Sequence, residues 1–497
     1  MDRTIPMQNP WWRDPSEIEN DDKIKEFEAA TIQWKPRIKY YIKFDKDKIY
    51  TLRGPRQVGK TTLIKLLIKD LLTEATEVKD AKSIFYYTCD IIANEKELTE
   101  VINEYLDWSG AFQLGRKYLF LDEISSVKNW EKGLKYLVDT GTLRNTSVIL
   151  TGSHAIDIKH SIERLPGRRG EGNETLNKIL LPMKFAEFAE TVNPAIKKLF
   201  EENHLFQTEK RQNIISGLFD NEIDPVLNLL QIYQDELDRL FEQYLITGGV
   251  PRAINDFFSK NSIDNSIYEL YIRSLIGDLA RWQFQEPYIK QILRSIAGKL
   301  TTNVSWQSIV KDTDIGSHNT VSRYTESLVD SFVLNILYSV DIVKKNACFK
   351  KEKKIYFQDP FIFHSLRSWV SGRTDYFNST QSYLDNPEDK SKLVESVVEN
   401  HLIRLMYNTF PSDVFAPHER IFYWKKSGGG KEVDFVLRSK EDELLPIELK
   451  FQNKIQKSDY KGLVTFPGRK GILLSKKRFD VTGNYATIPV SLFLLIT

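Results

Sequence analysis

The sequence is poor in cysteine and nearly balanced in charge. Its 497 residues include only two cysteines, Cys89 and Cys348, which lie in different regions and lack the spacing of metal ligands. Neither a disulfide framework nor a zinc site is therefore expected, and such a chain suits a reducing cytoplasm. The 70 basic and 68 acidic side chains leave a formal net charge of +2. Because the charges nearly cancel, any surface that binds nucleic acid must be a local patch.

Long hydrophobic runs are also missing. The amino-terminal segment MDRTIPMQNPWWRDP lacks the continuous apolar core of a signal peptide. The longest apolar runs, such as SLFLLI near the other end, fall well short of the roughly 20 residues that a membrane-spanning helix needs. We therefore expect a soluble cytoplasmic protein without a membrane partner. With 41% apolar and 28% charged residues, a chain of this length is expected to form about three globular domains.

Residues 48–62, KIYTLRGPRQVGKTT, have the pattern of a phosphate-binding loop. A short apolar segment leads into GxxxxGKT, and the helical pattern TLIKLLIKDLL follows. The glycines let successive amide groups face phosphate oxygens at the positive end of the helix. Lys60 would reach the β and γ phosphates, and the Thr61 hydroxyl would bind Mg²⁺. The residues predicted to bind ATP or GTP are Gly54, Pro55, Arg56, Gln57, Val58, Gly59, Lys60, Thr61 and Thr62.

Two acidic residues end the apolar strand in KYLFLDEI, which follows the loop at the distance typical of this kind of site. Asp122 is predicted to hold the magnesium ion through water. Glu123 is predicted to be the general base that orients and deprotonates the attacking water. The next strand, in SVILTGSH, ends at Ser153, where a sensor of water or of the γ-phosphate would lie. The alternative for Ser153 is an exposed strand end.

These motifs together resemble the AAA+ ATPases of the archaeal and bacterial group that carries an additional carboxyl-terminal domain. The resemblance rests on GPRQVGKTT, FLDEI, ILTGS, LPGRRG at 165–170 and LLPMKFAEFAE at 180–190. YLITGGVPRAI at 244–254 is similar to the glycine-glycine-x-proline segment of the helical lid in that group. The resemblance implies that Arg168, with Arg169 beside it, stabilises charge on the γ-phosphate, often from an adjacent subunit of a homo-oligomer. A basic surface loop is the alternative for Arg168.

Residues 286–334 have the outline of a helix-turn-helix. SWQSIVKD suggests one helix, DIG a turn and SHNTVSRYTESLVDSFVL a second helix, for which Ser317 is a plausible cap. The second helix of such a motif can enter the major groove of DNA. Its predicted exposed residues are His318, Asn319, Ser322 and Arg323.

A lysine-rich segment follows between two strand-like runs. Residues 344–354 hold six lysines and one glutamate, and this resembles the hairpin wing of a winged-helix domain. Lysines beside a phosphate backbone provide affinity that depends on salt and not on base sequence. The alternative is a solvated loop in a fold that serves only for packing.

The carboxyl-terminal stretch EVDFVLRSKEDELLPIELK, residues 432–450, predicts a hairpin. A turn centred on Glu441 would put Asp434 directly across from Glu448, with Lys450 two residues later on the same face. The preceding helix, KLVESVVENHLIRLMY, carries Glu395 and Glu399. Two carboxylates and a lysine that converge on a sheet could hold a metal ion over a phosphodiester, or they could be a solvated hairpin face.

This arrangement is similar to the PD-(D/E)xK nuclease superfamily, and it matches the end domain that accompanies the ATPase group. The resemblance implies that Asp434 and Glu448 bind Mg²⁺ or Mn²⁺ and that Glu395, not Glu399, is the helix acid. It implies that Lys450 positions the attacking water and stabilises the phosphorane. The alternatives are a domain that binds nucleic acid or a partner without cleavage, and a purely structural domain.

The sequence thus predicts an α/β protein in three parts: a P-loop AAA+ domain with a helical lid, a winged-helix domain and an α/β restriction-endonuclease-like domain. The predicted boundaries are 1–200 for the AAA+ domain with its amino-terminal extension, 201–285 for the lid, 286–360 for the winged helix, 361–390 for a linker and 391–497 for the nuclease-like domain. We expect an ATPase that uses ATP and Mg²⁺ and binds DNA through the winged helix, the lysine cluster and the end domain. One hypothesis adds a Mg²⁺- or Mn²⁺-dependent deoxyribonuclease site, and the other is an ATP-switched module that binds DNA or protein without cutting.

Overall fold

The computed structural model describes residues 4–74, 78–110, 115–152, 175–412, 415–426, 428–468 and 470–497. The chain divides into two compact units, Met1–Leu181 with Ser412–Val414, and Pro182–Pro411 with Phe415–Thr497. The first unit therefore ends at Leu181, whereas the sequence predicts that the AAA+ domain extends to residue 200. Within the described ranges, no helix is both long enough and apolar enough to cross a membrane.

The first unit is built on a parallel five-stranded sheet. Its strands are β1 (Ile49–Arg53), β2 (Ile84–Thr88), β3 (Lys117–Asp122), β4 (Thr146–Gly152) and β5 (Asn177–Ile179), in the spatial order β2-β3-β4-β1-β5. The helices are α1 (Thr4–Gln8), α2 (Asp22–Glu28), α3 (Lys60–Thr73), α4 (Glu95–Ser109) and α5 (Trp130–Asp139). All pairings are parallel. The carboxyl ends of β1 and β3 therefore lie at the same edge of the sheet, with β4 between them.

The burial of these strands explains their composition. Every residue of β1, β3 and β4 is buried, and parallel strands that are covered on both faces are near-continuous apolar runs. One apolar core contains side chains from the sheet, from α4 and from α5, among them Leu121, Ile102 and Leu134. The sheet is thus a rigid base for the side chains at its edge.

The second unit begins with helices. These are α6 (Phe185–Val192), α7 (Pro194–Glu202), α8 (Thr208–Phe219), α9 (Pro225–Gln231), α10 (Gln234–Thr247), α11 (Pro251–Lys260) and α12 (Asn265–Arg281). The segment 201–285, predicted as a helical lid, is helical throughout most of its length.

The two glycines of TGGVP lie at a crowded junction. Gly248 has φ 55°, and a Cβ on Gly249 would lie 2.0 Å from the carbonyl oxygen of Met183. The Met183 amide donates to the Gly249 carbonyl oxygen at 2.8 Å, and the Gly249 amide donates to a carboxylate oxygen of Asp359 at 2.7 Å. Burial raises the pKa of Asp359 to about 6. Only glycine fits this close approach of two backbone segments. Packing therefore explains why the TGGVP segment contains two glycines.

The helix-turn-helix segment has the predicted elements. It consists of α13 (Glu286–Gly298), α14 (Trp306–Val310) and α15 (His318–Asp330), and the Ser317 hydroxyl caps α15 by accepting from the Asn319 amide. An antiparallel pair follows, β6 (Leu334–Tyr338) with β9 (Lys353–Phe357), and the small pair β7 (Val340–Asp341) with β8 (Asn346–Ala347) lies between them in sequence.

The structure differs from the sequence prediction at residues 361–390. This predicted linker forms most of α16 (Pro360–Val370), all of α17 (Tyr376–Asp385) and the start of α18 (Pro387–Thr409). Most side chains of α16 are buried, so the segment contributes to the core of the second unit.

A six-stranded mixed sheet ends the chain. Its strands are β10 (Ile421–Lys425), β11 (Glu432–Arg438), β12 (Leu444–Lys450), β13 (Gly471–Ser475), β14 (Asp480–Thr482) and β15 (Tyr485–Pro489), in the order β10-β11-β12-β13-β15-β14. The short α19 (Lys461–Thr465) precedes β13, and α20 (Val490–Ile496) follows β15. Strands β11 and β12 pair antiparallel with Phe435 opposite Ile447. Continued by one residue, this register puts Asp434 opposite Glu448, as the turn centred on Glu441 predicted.

Candidate functional site

The phosphate loop lies between β1 and α3, as the sequence predicted. Gly59 precedes the helix with φ 94°, in the left-handed region that favours glycine. A Cβ on Gly54 would lie 1.9 Å from the carbonyl oxygen of Leu180. The side-chain amide of Gln57 is buried, and neither its nitrogen nor its oxygen has a hydrogen-bond partner among the described residues. A polar ligand at this loop would satisfy such an amide.

Lys60 is buried at the start of α3 and turns back over the loop. Its ammonium donates to the carbonyl oxygens of Gly54 and Pro55, both at 2.9 Å. The side chain therefore lies inside the curve that the loop forms, which is where it would meet phosphate oxygens. Thr62 is half-buried in the first turn of α3, and Val58 is buried.

The Thr61 hydroxyl and the Asp122 carboxylate lie next to each other. Thr61 donates to Asp122 Oδ2 at 2.7 Å, and the Tyr86 hydroxyl donates to the same oxygen at 3.2 Å. Asp122 is 3% exposed, so its carboxylate is held in one place. A hydroxyl and a carboxylate beside a phosphate loop are the hard oxygen groups that Mg²⁺ prefers, and these two residues fit that ion.

Glu123 follows Asp122 with φ 52°, in the left-handed region. Its carboxylate forms an ion pair with Arg56 of the phosphate loop, with 3.0 Å between Nη1 and Oε1. The predicted base and a loop residue thus lie at one edge of the sheet. To contact a water at the γ-phosphate, Glu123 would exchange this ion pair for that water.

Thr151 is a site residue that the sequence reasoning missed. It is fully buried on β4. Its hydroxyl donates to Asp122 Oδ1 and accepts a hydrogen bond from the Glu123 amide at 3.0 Å. The available signal was a polar residue inside an otherwise apolar strand, ILTGS, two positions before Ser153. Ser153, Arg168 and Arg169 lie outside the described residues.

The four residues of the second predicted site converge in the second unit. Glu395 lies on α18, Asp434 on β11, and Glu448 and Lys450 on β12. Lys450 Nζ is 2.5 Å from Glu448 Oε1, and Asp434 Oδ2 accepts from the backbone amide of Leu449 at 2.9 Å. Glu448 is 5% exposed, and its Oε2 has no hydrogen-bond partner in the described structure.

Lys354 is a fifth member of this cluster, and the sequence reasoning had assigned it to a DNA-binding wing. The assignment to a wing is wrong for this residue, because Lys354 on β9 is buried, with 2% of its surface exposed. Its ammonium lies 3.2 Å from Glu395 Oε1, 2.7 Å from Glu432 Oε1 and 3.3 Å from Asp434 Oδ1. Lys353 is also buried, and its ammonium lies 4.1 Å from the centroid of the Trp306 ring.

Burial governs the protonation of the cluster. It raises the pKa of Glu395 to about 7 and that of Glu448 to about 8, with the charge of Asp434 acting in the same direction. Burial opposes the charged form of Lys354, but the carboxylates of Glu395, Asp434 and Glu432 outweigh it and raise the pKa well above its usual range. Lys354 is therefore a charged ammonium at neutral pH.

As arranged, these residues do not fit a divalent cation. The oxygens of Glu395, Asp434 and Glu432 face an ammonium group, and Glu448 faces Lys450. Over the described ranges, no group of three or more His, Cys, Asp or Glu side chains could hold a metal ion.

The remaining wing lysines are at the surface. Lys344, Lys350 and Lys351 are exposed, and Lys345 is half-buried and paired with Asp442 at 3.0 Å. On α15, the predicted contact residues His318, Asn319 and Arg323 are exposed, and Ser322 is half-buried. The Ser322 hydroxyl donates to Glu326 at 2.8 Å.

The family comparisons match the part of the chain that contains the phosphate loop. Residues 46–189 match the family described as an AAA domain. Residues 238–373 match a domain of unknown function (DUF8612), and residues 390–493 match another domain of unknown function (DUF4143). The AAA match includes the phosphate loop, Asp122 and Glu123. The chain therefore carries an AAA-type P-loop ATPase domain, which binds ATP.

Two proteins of Methanocaldococcus jannaschii are similar over most of their length. The uncharacterized protein MJ1637 is 25% identical over 470 residues, which cover 93% of this chain and 88% of that protein. The uncharacterized protein MJ1544 is 24% identical over 429 residues, which cover 83% of this chain and 78% of that protein.

Solved structures show weaker likeness. The Walker-type ATPase paby2304 of Pyrococcus abyssi has a TM-score of 0.39 and 15% identity, covering 71% of this chain and 95% of that chain. The Aeropyrum pernix ORC2 protein has a TM-score of 0.34 and 13% identity, covering 68% of this chain and 89% of that chain.

Proposed function

We propose that this protein is an AAA+ ATPase that hydrolyses ATP with Mg²⁺ and acts on DNA through its second unit, which binds DNA without cleaving it. The observation that carries the ATPase part is the contact of Thr61 with Asp122 beside the phosphate loop, 2.7 Å between the hydroxyl and the carboxylate. Residues Gly54 to Thr62 provide the amide groups and the ammonium for the phosphates.

Each residue of the first site has a defined task. Thr61 and Asp122 would hold Mg²⁺, which neutralises phosphate charge when it is bound. Lys60 stabilises the β and γ phosphates. Glu123 leaves Arg56, accepts a proton from the attacking water and orients it. Thr151 would hold the Asp122 carboxylate and the Glu123 backbone amide through its two hydrogen bonds.

Two further groups complete the proposal for hydrolysis. Ser153 would sense the γ-phosphate or the water, and Arg168 would stabilise the charge that develops there, either in its own subunit or across a homo-oligomer. We propose ATP and not GTP as the nucleotide, because adjacent acids at 122 and 123 occur without an NKxD guanine-reading motif. The free cysteines Cys89 and Cys348 agree with work in the cytoplasm.

The proposal of DNA as the partner rests on the exposed face of the helix-turn-helix. His318, Asn319 and Arg323 are exposed on α15, the second helix of the motif. The exposed Lys344, Lys350 and Lys351 follow in the hairpin. Side chains that reach base edges next to lysines that reach phosphates are the two kinds of contact that DNA binding combines.

The geometry of the second cluster favours DNA binding over cleavage. The convergence of Glu395, Asp434, Glu448 and Lys450 supports a relation to PD-(D/E)xK nucleases. Cleavage in that superfamily needs a divalent cation, and here an ammonium contacts the acids. A Mg²⁺- or Mn²⁺-dependent deoxyribonuclease therefore ranks second.

One set of assays tests both parts. ATP turnover is measured with and without duplex DNA for the wild type, Lys60→Ala and Glu123→Gln. We expect DNA to change the turnover of the wild type, Lys60→Ala to lose nucleotide binding, and Glu123→Gln to bind ATP without hydrolysing it. Tight ATP binding by Lys60→Ala would show that the loop has another role. If the rate of ATP turnover were the same with and without duplex DNA, and the protein did not bind DNA, DNA would be excluded as the partner.

Cleavage is tested separately, by incubating DNA with Mg²⁺ or Mn²⁺ and either the wild type or Asp434→Ala. We expect no cleavage from either protein. Cleavage by the wild type that Asp434→Ala abolishes would establish the nuclease and overturn the non-cleaving part of the proposal.

A further inference from the structure

Three aromatic rings form a cluster at the surface of the second unit, beside the hairpin of β7 and β8. Tyr338 ends β6, Phe349 follows β8, and His418 lies just before β10. The centroid of the Phe349 ring lies 4.9 Å from that of Tyr338 and 5.3 Å from that of His418, with interplanar angles of 67° and 70°. Phe349 is 56% exposed, and no ring of the described residues stacks parallel to it. An exposed ring that two neighbouring rings already hold can contact another planar group.

The lysines next to this ring cluster leave an excess of positive charge. Lys344, Lys350 and Lys351 are exposed and form no ion pair among the described residues. The single acid of the segment 344–354, Glu352, is paired with Lys425, with 3.3 Å between Oε2 and Nζ. Single-stranded nucleic acid is bound by this combination, because lysines contact its phosphates and aromatic rings stack on its unpaired bases.

The hairpin that carries these side chains is fixed to the sheet of the end domain. Val340 lies in an apolar core with side chains of β10, β11 and β13. Lys345 is paired with Asp442 at 3.0 Å, and the Cys348 amide donates to the carbonyl oxygen of Ser339 at 2.8 Å. A surface that is already ordered loses little conformational entropy when it binds a partner.

The ring cluster also lies close to α15, the helix proposed to contact duplex DNA. Tyr338 ends the strand that follows this helix. Burial, and with it the negative charge of Glu326 on α15, raises the pKa of Tyr338. Because water and salt screen charges over distance, this effect requires that α15 and the ring cluster be close together. One DNA molecule can therefore contact both.

We propose that Phe349 stacks on an unpaired base of DNA, while Lys344, Lys350 and Lys351 contact the adjacent phosphates. The DNA that this surface fits is a duplex with a single-stranded extension. The duplex contacts α15, and the extension contacts the ring cluster. The inference rests on the proposed function, because it names the class of DNA that the second unit binds.

Fluorescence anisotropy with the full chain compares a blunt duplex with the same duplex carrying a tail of about six thymidines on one strand or the other. We expect a tail to raise the affinity of the wild type about tenfold, since one stacked base contributes roughly this factor. Phe349→Leu should lose most of this gain and bind the blunt duplex like the wild type, because leucine has no aromatic face. Phe349→Tyr keeps the ring and should keep the gain.

Val343→Ala is the matched control, because Val343 is 90% exposed in the turn of the same hairpin and has no ring. We expect this variant to keep the gain from the tail. A full gain in Phe349→Leu, or an equal loss in Val343→Ala, would overturn the inference. If the wild type bound the blunt duplex and gained nothing from a tail, the inference would fail and the proposed function would stand. If it bound neither DNA, both would fail.

Discussion

Thr151 on β4 donates a hydrogen bond to Asp122 at the end of the neighbouring strand β3. The same hydroxyl accepts the Glu123 amide at 3.0 Å. One buried side chain thus orients the residue that would hold Mg²⁺ and the backbone of the residue that would activate water. Because its hydroxyl acts through Asp122 and Glu123, we assign Thr151 a positioning role.

Thr151→Val keeps the volume of the side chain and removes the hydroxyl. We expect kcat for ATP hydrolysis to fall by about tenfold or more, because the loss of a buried hydrogen bond of about 1–2 kcal/mol disorders Asp122 and Glu123. ATP affinity should change less, since the loop residues that contact the phosphates are intact. Steady-state turnover and nucleotide titration measure the two quantities.

Thr151→Ser is the control for this prediction. Serine restores the hydroxyl, so we expect most of the turnover to return with it. If serine and valine at position 151 gave equal turnover, the hydroxyl would have no part in positioning the acids.

The first site could be predicted well from the sequence because its signals are local. The loop, strand and helix around Lys60 form one continuous stretch, and Asp122 with Glu123 ends a single apolar strand. Thr151 escaped notice because its role depends on which strand lies beside β3. That neighbour is β4, and the pattern of apolar residues along a strand does not specify its partner.

A substitution at Gly249 tests how tightly the TGGVP segment packs against Met183 in the second unit. A Cβ at this position would lie 2.0 Å from the carbonyl oxygen and 2.4 Å from the amide nitrogen of Met183. We expect Gly249→Ala to lower the free energy of unfolding by about 3 kcal/mol or more, because backbone atoms cannot move aside cheaply. Urea-induced unfolding measures the difference.

Gly277 is the matched control within the same unit. It is exposed on α12, and nothing lies within 4 Å of a Cβ at this position. Gly277→Ala should raise the free energy of unfolding by about 0.5–1 kcal/mol through helix propensity. Equal effects of the two substitutions would contradict the close approach at Gly249.

The exposed wing lysines are expected to contribute to DNA affinity through phosphate contacts. The double substitution Lys350→Glu with Lys351→Glu should weaken duplex binding for all sequences alike. It should also reduce the slope of log affinity against log salt by up to about 2, since each phosphate contact contributes roughly 0.9. Fluorescence anisotropy at several salt concentrations gives both values.

Lys197 and Lys198 provide the control for the wing lysines. Both are exposed on α7, which lies far from the helix-turn-helix and the hairpin in sequence. Lys197→Glu with Lys198→Glu changes net charge by the same amount. We expect a smaller effect on affinity and an unchanged slope. Equal losses from the two double variants would mean that net charge, not the wing, governs binding.

The second cluster was predictable only in part. The hairpin register followed from the charged turn and the alternation of β11 and β12, so that Asp434, Glu448 and Lys450 were correctly brought together. The sequence did not predict that Lys354 belongs to the cluster, because Lys354 is one of six lysines in a segment with the composition of a solvated loop. Its burial comes from the pairing of β9 with β6 and from packing against α18, and such long-range contacts leave no periodic signal in the sequence.

The buried carboxyl group of Glu399 is expected to make the stability of the protein depend on pH. It is fully buried on α18, where Oε2 accepts from the side-chain amide of Asn335 at 3.0 Å and Oε1 has no partner among the described residues. Burial raises its pKa to about 8, from an ordinary value of about 4.3 in an unfolded chain. Between these pH values the folded state holds a proton that the unfolded state has lost, so stability falls as pH rises through this window.

Glu399→Gln removes this titration and keeps an oxygen for Asn335. We expect the variant to match the wild type near pH 5 and to exceed it near pH 9, by on the order of 4 kcal/mol in free energy of unfolding. Glu388→Gln is the control, because Glu388 is exposed on the same helix and its pKa is lowered by hydrogen bonding to Lys392. Urea unfolding at pH 5, 7 and 9 measures the curves. If Glu399→Gln and Glu388→Gln lost stability equally between pH 5 and 9, Glu399 would be ionised in the folded protein at neutral pH, and its carboxylate would have to be in contact with water or with a positive charge.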